Sequence, residues 1–183
     1  MNKNPVQTEA TKRAFADALC QLAEKKPATR ISVKEIVERA GYNRSTFYQY
    51  FHDAYDLLEY VAAIVLRDIK ANIAENVQEQ QAGDTFIRAF TAFHATDAHY
   101  FDTLFQPEAQ PFFLRCAKRE LAPLLIEKFG LPEHEPQTMY RLETQMAVVV
   151  SLLGLWISRG RDLPAAELAD WMSRISQAVL RTS

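Results

Sequence analysis

Residues 43–51 carry side chains that could bind a nucleic acid, provided that a helix presents them on one side. Arginine can form two hydrogen bonds with guanine, and glutamine can form two with adenine. Hydroxyl groups suit phosphate oxygens instead. At about 100° per residue, the polar side holds Arg44, Ser45, Tyr48 and Gln49, and the apolar side holds Phe47, Tyr50 and Phe51. The polar groups have no evident internal partner, although an ordinary helical hairpin with a solvated side would show the same pattern.

Two short helices joined by a tight turn must position these groups, and residues 29–51 contain the signals for both. Ser32 is a good N-cap, and Glu35 three residues later completes a capping box. Gly41 permits the backbone that ends a helix before a sharp reversal, and Asn43 can cap a second helix over 44–51. These signals predict a helix-turn-helix, whose second helix lies in the major groove of DNA.

The same stretch resembles the TetR family of bacterial transcriptional regulators over about residues 8–60. The motifs that carry the resemblance are Ile31-Ser32-Val33, Ile36, Ala40-Gly41, Ser45-Thr46-Phe47-Tyr48 and Tyr50-Phe51. The sequence departs from the family at Ser45, often glycine, at Tyr42, often a small aliphatic residue, and after Phe51, where a frequent phosphate-binding lysine is absent. The resemblance implies a DNA-binding domain, a second helical domain with an inducer pocket, and dimerisation through the last two long helices.

Arg44 and Gln49 are the best candidates for base contacts, whereas the hydroxyl residues of the second helix suit phosphates. The loop before the first of the two helices could approach the DNA backbone, and His52 or Tyr55 could weakly take the place of the absent lysine. The predicted DNA contacts are Thr29, Arg30, Tyr42, Asn43, Arg44, Ser45, Thr46, Tyr48, Gln49 and His52. A two-fold dimer would place two such surfaces about 34–36 Å apart on a pseudo-palindromic duplex.

The 183-residue chain has an ordinary globular composition, with 48% hydrophobic and 24% charged residues. No uncharged apolar run approaches about 18 residues, so we expect no membrane span, and the polar first residues do not read as a signal peptide. Cys20 and Cys116 lack metal-site spacing, which indicates a reducing cytoplasm and no disulfide.

Charge is distributed unevenly along the chain. Residues 1–52 hold nine Lys and Arg against five Asp and Glu, a net charge of +4. The remainder holds twelve against eighteen, a net charge of −6. This asymmetry favours a basic reader of double-stranded DNA joined to an acidic domain with another partner. We expect DNA binding to weaken steeply with salt, because each neutralised phosphate releases counterions.

The predicted fold class is all-α, because apolar residues recur at helical spacing and no alternating run is clear. Residues 1–52 form a three-helix DNA-binding domain, whose first helix spans 8–25. Residues 53–183 form a larger ligand-binding and dimerisation domain, opened by a connecting helix over 53–81. Further helices are predicted over 85–96, 99–105, 112–129 and 137–159, and Pro164 opens the last one.

The last two helices are too apolar for one side each, and residues 148–156 are hydrophobic around most of the helix circumference, which is typical of a helix covered on more than one side. Gly154 permits the close approach of another helix. We predict that two helices from each protomer form a four-helix interface in a homodimer. A fully buried internal helix is the alternative. The predicted interface residues are Val149, Val150, Leu153, Trp156, Ile157, Leu168, Trp171, Met172 and Ile175.

Aromatic residues crowd the middle of the second domain, between short helices that prolines interrupt. For each residue separately a plain aromatic core is the stronger reading, but the cluster also has polar members that could orient a small molecule. Given the inducer pocket that the resemblance implies, we predict a mostly apolar or aromatic effector that shifts the connecting helix. The predicted ligand residues are Phe90, Phe93, His94, Tyr100, Phe101, Phe105, Phe113, Cys116, Met139, Tyr140 and Met146.

An enzyme is the main rival, because His94, Asp97, His99 and Asp102 lie close together in sequence. The two histidines differ by about 140° around a helix, so one helix cannot easily present both to one metal ion. The sequence also has no glycine-rich phosphate loop and no nucleophile elbow, and we expect no metal, cofactor or catalysis. The prediction is a homodimeric, ligand-responsive repressor of transcription, with an activator of the same fold or a helical interaction protein as alternatives.

Overall fold

The computed structural model describes residues 5–75 and 98–180, and within these ranges the chain forms eight α-helices and no β-strand. The first group comprises α1 (Pro5–Ala23), α2 (Val33–Ala40), α3 (Arg44–Phe47) and α4 (Ala54–Glu75), with a 3₁₀ turn at Ala28–Arg30. The second group comprises α5 (Ala98–Leu104), α6 (Gln110–Phe129), α7 (Pro136–Ser158) and α8 (Ala165–Leu180). The predicted all-α class is confirmed. No described helix is long and apolar enough to cross a membrane.

One hydrophobic core runs through both groups of helices. Helix α1 packs against α2, α4 and α5, and α4 also packs against α5 and α6. Phe15 and Leu19 of α1 and Leu57 and Val61 of α4 are completely buried. Because each large apolar side chain contributes about 1.5–3 kcal/mol when buried, this continuous core holds the two groups together.

Several predicted helix limits differ from the observed ones. Helix α1 begins at Pro5, ahead of the predicted residue 8, since proline is tolerated in a first turn. The prediction that α3 extends to residue 51 is wrong. After Phe47 the amides of Gln49 and Tyr50 bond to carbonyls only three residues back, so the chain tightens into turns. The predicted end of α4 at residue 81 and the predicted helix over 85–96 lie outside the described residues.

The protomer itself covers most of the apolar surface of α7 and α8. The buried residues are Val149, Val150, Leu153, Trp156, Leu168 and Met172. The prediction that these six meet a partner subunit is therefore wrong, because α6 and the pairing of α7 with α8 already enclose them. Ile157 and Ile175 are half-buried, and Trp171 is 51% exposed.

Gly154 admits a side chain of the same protomer. The Gln110 amide of α6 donates from Nε2 to the Val150 carbonyl, at 2.9 Å. A Cβ atom at position 154 would lie 2.0 Å from that nitrogen. The close approach that glycine was expected to permit therefore occurs between α6 and α7.

Candidate nucleic-acid interface

Helix α2 is fixed at both ends by its own sequence. The Ser32 Oγ accepts a hydrogen bond from the Glu35 amide, and the Glu35 carboxylate accepts one from the Ser32 amide, which confirms the capping box. The Lys26 ammonium adds a 2.6 Å contact to that carboxylate. These bonds, the one from Lys26 first, lower the pKa of Glu35 to about 2. Gly41 ends the helix in the left-handed conformation, at φ 73°, as its type predicted.

Asn43 holds the turn that presents the candidate DNA-reading groups. Its Oδ1 accepts hydrogen bonds from the Thr46 amide at 2.8 Å, the Ser45 hydroxyl at 2.7 Å and the Thr46 hydroxyl at 2.9 Å. The N-cap prediction for Asn43 is confirmed. The expectation that Ser45 lacks an internal partner is wrong. Because both hydroxyl protons already point to Asn43, these hydroxyls must rotate before they can donate to a phosphate.

Aromatic packing supports the turn from behind. Phe47 is completely buried, and its ring lies 5.2 Å from that of Phe15 and 5.5 Å from that of Phe51. Tyr48 packs edge-on against Phe47, with ring centroids 5.6 Å apart. The ring of Tyr42 lies 5.1 Å from that of Phe15, a support that the sequence pattern did not reveal. The aromatic cluster therefore fixes which side of residues 43–51 faces outward.

The outward side carries the polar groups that the spacing predicted. Arg44, Ser45 and Gln49 are exposed, and Tyr48 is 58% exposed. Of the other predicted DNA contacts, Arg30, Tyr42, Asn43 and His52 are also exposed, and Thr29 and Thr46 are half-buried. The structure thus brings a hydrogen-bonding surface together over residues 42–49, which we call the 42–49 surface.

Two aspartates accept backbone hydrogen bonds at the start of α4, in the segment that follows the 42–49 surface. Asp53 accepts a hydrogen bond from the Asp56 amide, and Asp56 accepts one from the His52 amide, each at 2.9 Å. In a standard capping box the second bond would come from the amide of residue 53, so this one is shifted by one residue. Two carboxylates therefore lie in the segment where the resemblance led us to expect a phosphate-binding lysine.

The predicted ligand residues do not form one group. Phe90, Phe93 and His94 lie outside the described residues. The buried members of the set are Tyr100, Phe101, Phe105, Phe113, Cys116 and Met146. Phe105 stacks on Phe101 at 4.3 Å and contacts Phe113 at 5.1 Å. Met139 and Tyr140 are 53% and 74% exposed, so the prediction that they join this cluster is wrong: their positions on α7 face away from the core.

Two clefts of ligand size lie on α6. One of 290 Å³ runs between α4 and α6, with Ala62, Leu66 and Cys116 among its lining residues and Lys70 and Arg119 at its charged side. The other, of 770 Å³, includes Met139. Burial raises the pKa of the Cys116 thiol and raises that of Cys20 to about 12, so both cysteines stay protonated near neutral pH.

Comparisons with known proteins agree with this arrangement. Residues 15–61 match the model of bacterial regulatory proteins of the tetR family. No curated protein matches the chain. The solved structure of the fatty acid degradation regulator FadR from Bacillus halodurans is 16% identical and superposes with a TM-score of 0.70 over 96% of each chain.

Two further solved structures carry descriptions of function. The TetR family repressor AlkX from Dietzia is 19% identical, with a TM-score of 0.56 over 94% of this chain and 99% of AlkX. RolR in complex with resorcinol is 16% identical, with a TM-score of 0.55 over 98% of this chain and 97% of RolR. At these identities, the likenesses show a shared fold.

Proposed function

We propose that this chain is a DNA-binding transcriptional regulator of the TetR family, and that it represses transcription as a homodimer on a two-fold operator. The observation that carries the proposal is the 42–49 surface, whose polar side chains are turned outward by a buried aromatic cluster. Arg44 and Gln49 would contact base edges, and Tyr48 would contact a phosphate or a thymine methyl group.

The homodimer requires an exposed apolar surface, and the C-terminal helices supply one. Tyr140 and Leu155 lie fifteen residues apart on the exposed side of α7, and Trp171 is exposed on α8. Aromatic and other large apolar side chains are enriched in the buried centre of subunit interfaces. We therefore transfer the proposed interface from the buried residues to this exposed set.

Release by a small apolar or aromatic effector is the third part of the proposal. Its support is the buried aromatic group around Phe105, the two clefts on α6, and the resorcinol complex of RolR, a protein of similar fold. A ligand can act only through a difference in affinity between two conformations. Resorcinol and decanoate are suitable aromatic and apolar probes, and failure of such compounds to change operator affinity would count against an effector pocket.

Selection of DNA by the full chain tests the proposal. Duplexes with a random central region are bound to the purified protein, recovered and sequenced over several rounds. We expect enrichment of a two-fold sequence, with affinity that falls steeply as salt rises. Transcription from a promoter that overlaps the selected sequence should then fall when the protein is added. Enrichment of no sequence would contradict DNA reading, and increased transcription would contradict repression.

A further inference from the structure

Helix α5 makes polar contacts with α1, near the DNA-binding surface. The Tyr100 hydroxyl donates to the Asp17 carboxylate at 2.5 Å, and His99 Nε2 lies 3.2 Å from the same oxygen. Burial and, next, this hydrogen bond raise the pKa of Tyr100, which keeps the phenol protonated as a donor. Asp17 is the only acidic residue between residues 10 and 23.

Gln106, just after α5, joins two parts of the DNA-binding domain. Its Nε2 donates to the carbonyl of Ala23, at the end of α1, at 2.6 Å. Its Oε1 accepts from the amide of Ala28, at the start of the 3₁₀ turn, at 3.1 Å. A glutamine can make both bonds because its amide both donates and accepts, whereas a glutamate can make only the second.

The other side of α5 is tied to the turn between α7 and α8. The Arg161 guanidinium contacts Asp102 at 2.5 Å and lies 5.6 Å from the centre of the Trp156 ring. Arg161 has φ 60°, an uncommon backbone conformation for a residue with a side chain, and its amide donates to the Trp156 carbonyl at 2.8 Å. The turn thus holds a strained arginine that is directed at α5.

These contacts form one continuous polar connection, which we call the α5 bridge: Arg161 to Asp102, then α5, then Tyr100 and Gln106 to α1. Hydrogen bonds weaken steeply when their geometry is lost, so they favour one relative position of the elements that they join. We propose that the α5 bridge sets the position of the DNA-binding domain relative to the α7–α8 corner. In the homodimer of the proposed function, on which this inference rests, it would set the spacing of the two 42–49 surfaces.

A positioning role predicts a different result from a purely structural one. Affinity is measured for the selected two-fold duplex, for an isolated half-site, and for duplexes whose half-sites are moved apart or together by one base pair. The variants are Arg161→Asn, because asparagine tolerates the left-handed backbone, together with Asp102→Asn and Gln106→Glu. Arg159→Gln is the matched control, since Arg159 pairs with Asp162 in the same turn and not with α5.

We expect each of the three bridge variants to bind the two-fold duplex about tenfold more weakly, with unchanged half-site affinity and a shifted preference for spacing. The control should match the wild type. Arg161→Asn and Asp102→Asn should be non-additive when combined, because both weaken the same contact. Thermal unfolding of every variant separates these effects from loss of the fold.

Two results would overturn the inference in distinguishable ways. If the wild type prefers the two-fold duplex but the bridge variants lose half-site and full-site affinity equally, or lose neither, the α5 bridge does not set spacing. If the wild type binds a half-site as tightly as the two-fold duplex, the proposed homodimer fails and the inference fails with it.

Discussion

The helix-turn-helix and the α7–α8 pair both place aromatic and aliphatic residues at helical spacing, but their exposed sides are built differently. In the helix-turn-helix, Ser32, Gly41 and Asn43 fix each helix end, and the outward side is polar. In the second half of α7, apolar residues lie around most of the helix, and the protomer buries most of them while Leu155 stays exposed. Local caps therefore fix where these helices begin and end, and the buried aromatic cluster fixes which side faces outward. An apolar helix, in contrast, does not specify whether its own protomer or a partner covers it.

The largest expected effect is a difference in unfolding free energy between variants of two adjacent residues, Phe47 and Tyr48. Phe47→Ala should lower the free energy of unfolding by about 3–5 kcal/mol, because it removes a completely buried ring. Tyr48→Ala should lower it by about 1 kcal/mol or less, since its ring is mostly exposed, yet weaken DNA binding. Urea unfolding measures the stability of each variant, and titration with the operator duplex measures its DNA affinity. Equal losses of stability would mean that Tyr48 belongs to the core and not to the DNA surface.

The same contrast can be made on α8 with Met172 and Trp171. Met172→Ala should lower the free energy of unfolding by about 2–5 kcal/mol, because Met172 is buried within the protomer. Trp171→Ala should leave the protomer folded but raise the dimer dissociation constant by at least about tenfold. Sedimentation equilibrium gives that constant. A Trp171→Ala protein that dimerises like the wild type would remove Trp171 from the interface.

A smaller effect tests whether Gly154 serves the protomer or the dimer. Gly154→Ala forces Gln110 away and breaks its bond to Val150, at a cost of about 0.5–1.5 kcal/mol. Alanine favours the helix over glycine by about 1 kcal/mol, so the two effects should nearly cancel. In the Gln110→Ala protein only the higher helix propensity of alanine remains, so Gly154→Ala should raise the free energy of unfolding by about 1 kcal/mol. If Gly154→Ala instead changes the dimer dissociation constant, and has the same effect on unfolding free energy with Gln110 and with Ala at position 110, the glycine belongs to the dimer interface.

The smallest expected effect concerns the cap of α2. Because the folded pKa of Glu35, about 2, lies below its ordinary value of 4.5, the ionised carboxylate stabilises the folded state above pH 4.5. This contribution should be lost as the pH falls from 4.5 through about 2. Glu35→Gln should therefore flatten the decline in unfolding free energy between about pH 6 and pH 3. An unchanged decline in this variant would show that Lys26 and Ser32 do not favour the ionised form.

The sequence predicted what depends on neighbouring residues. The caps at Ser32, Gly41 and Asn43 act within four residues, and all three are confirmed. The length of α3 was predicted wrongly because the turns after Phe47 satisfy its backbone almost as a helix would. The hydroxyl of Ser45 was thought free because its bond to Asn43 depends on the exact shape of the turn.

What the sequence could not predict depends on distant residues. The packing of α6 on α7 buries Val150 and Trp156 and places the Gln110 side chain beside Gly154. The periodicity of residues within one helix does not reveal this packing. The exposure of Tyr140 has the same cause. Gln106 contacts residues about eighty positions away, so only the folded chain shows its two backbone partners.

The preference of Arg44→Ala for each operator base pair tests the central claim most directly. The measurement compares wild type and variant on a set of operators in which every base pair is substituted in turn. If the outward 42–49 surface reads DNA, the variant loses discrimination worth about 1–3 kcal/mol at one base pair of each half-site and keeps its other preferences. Identical preference profiles for the two proteins would contradict the claim.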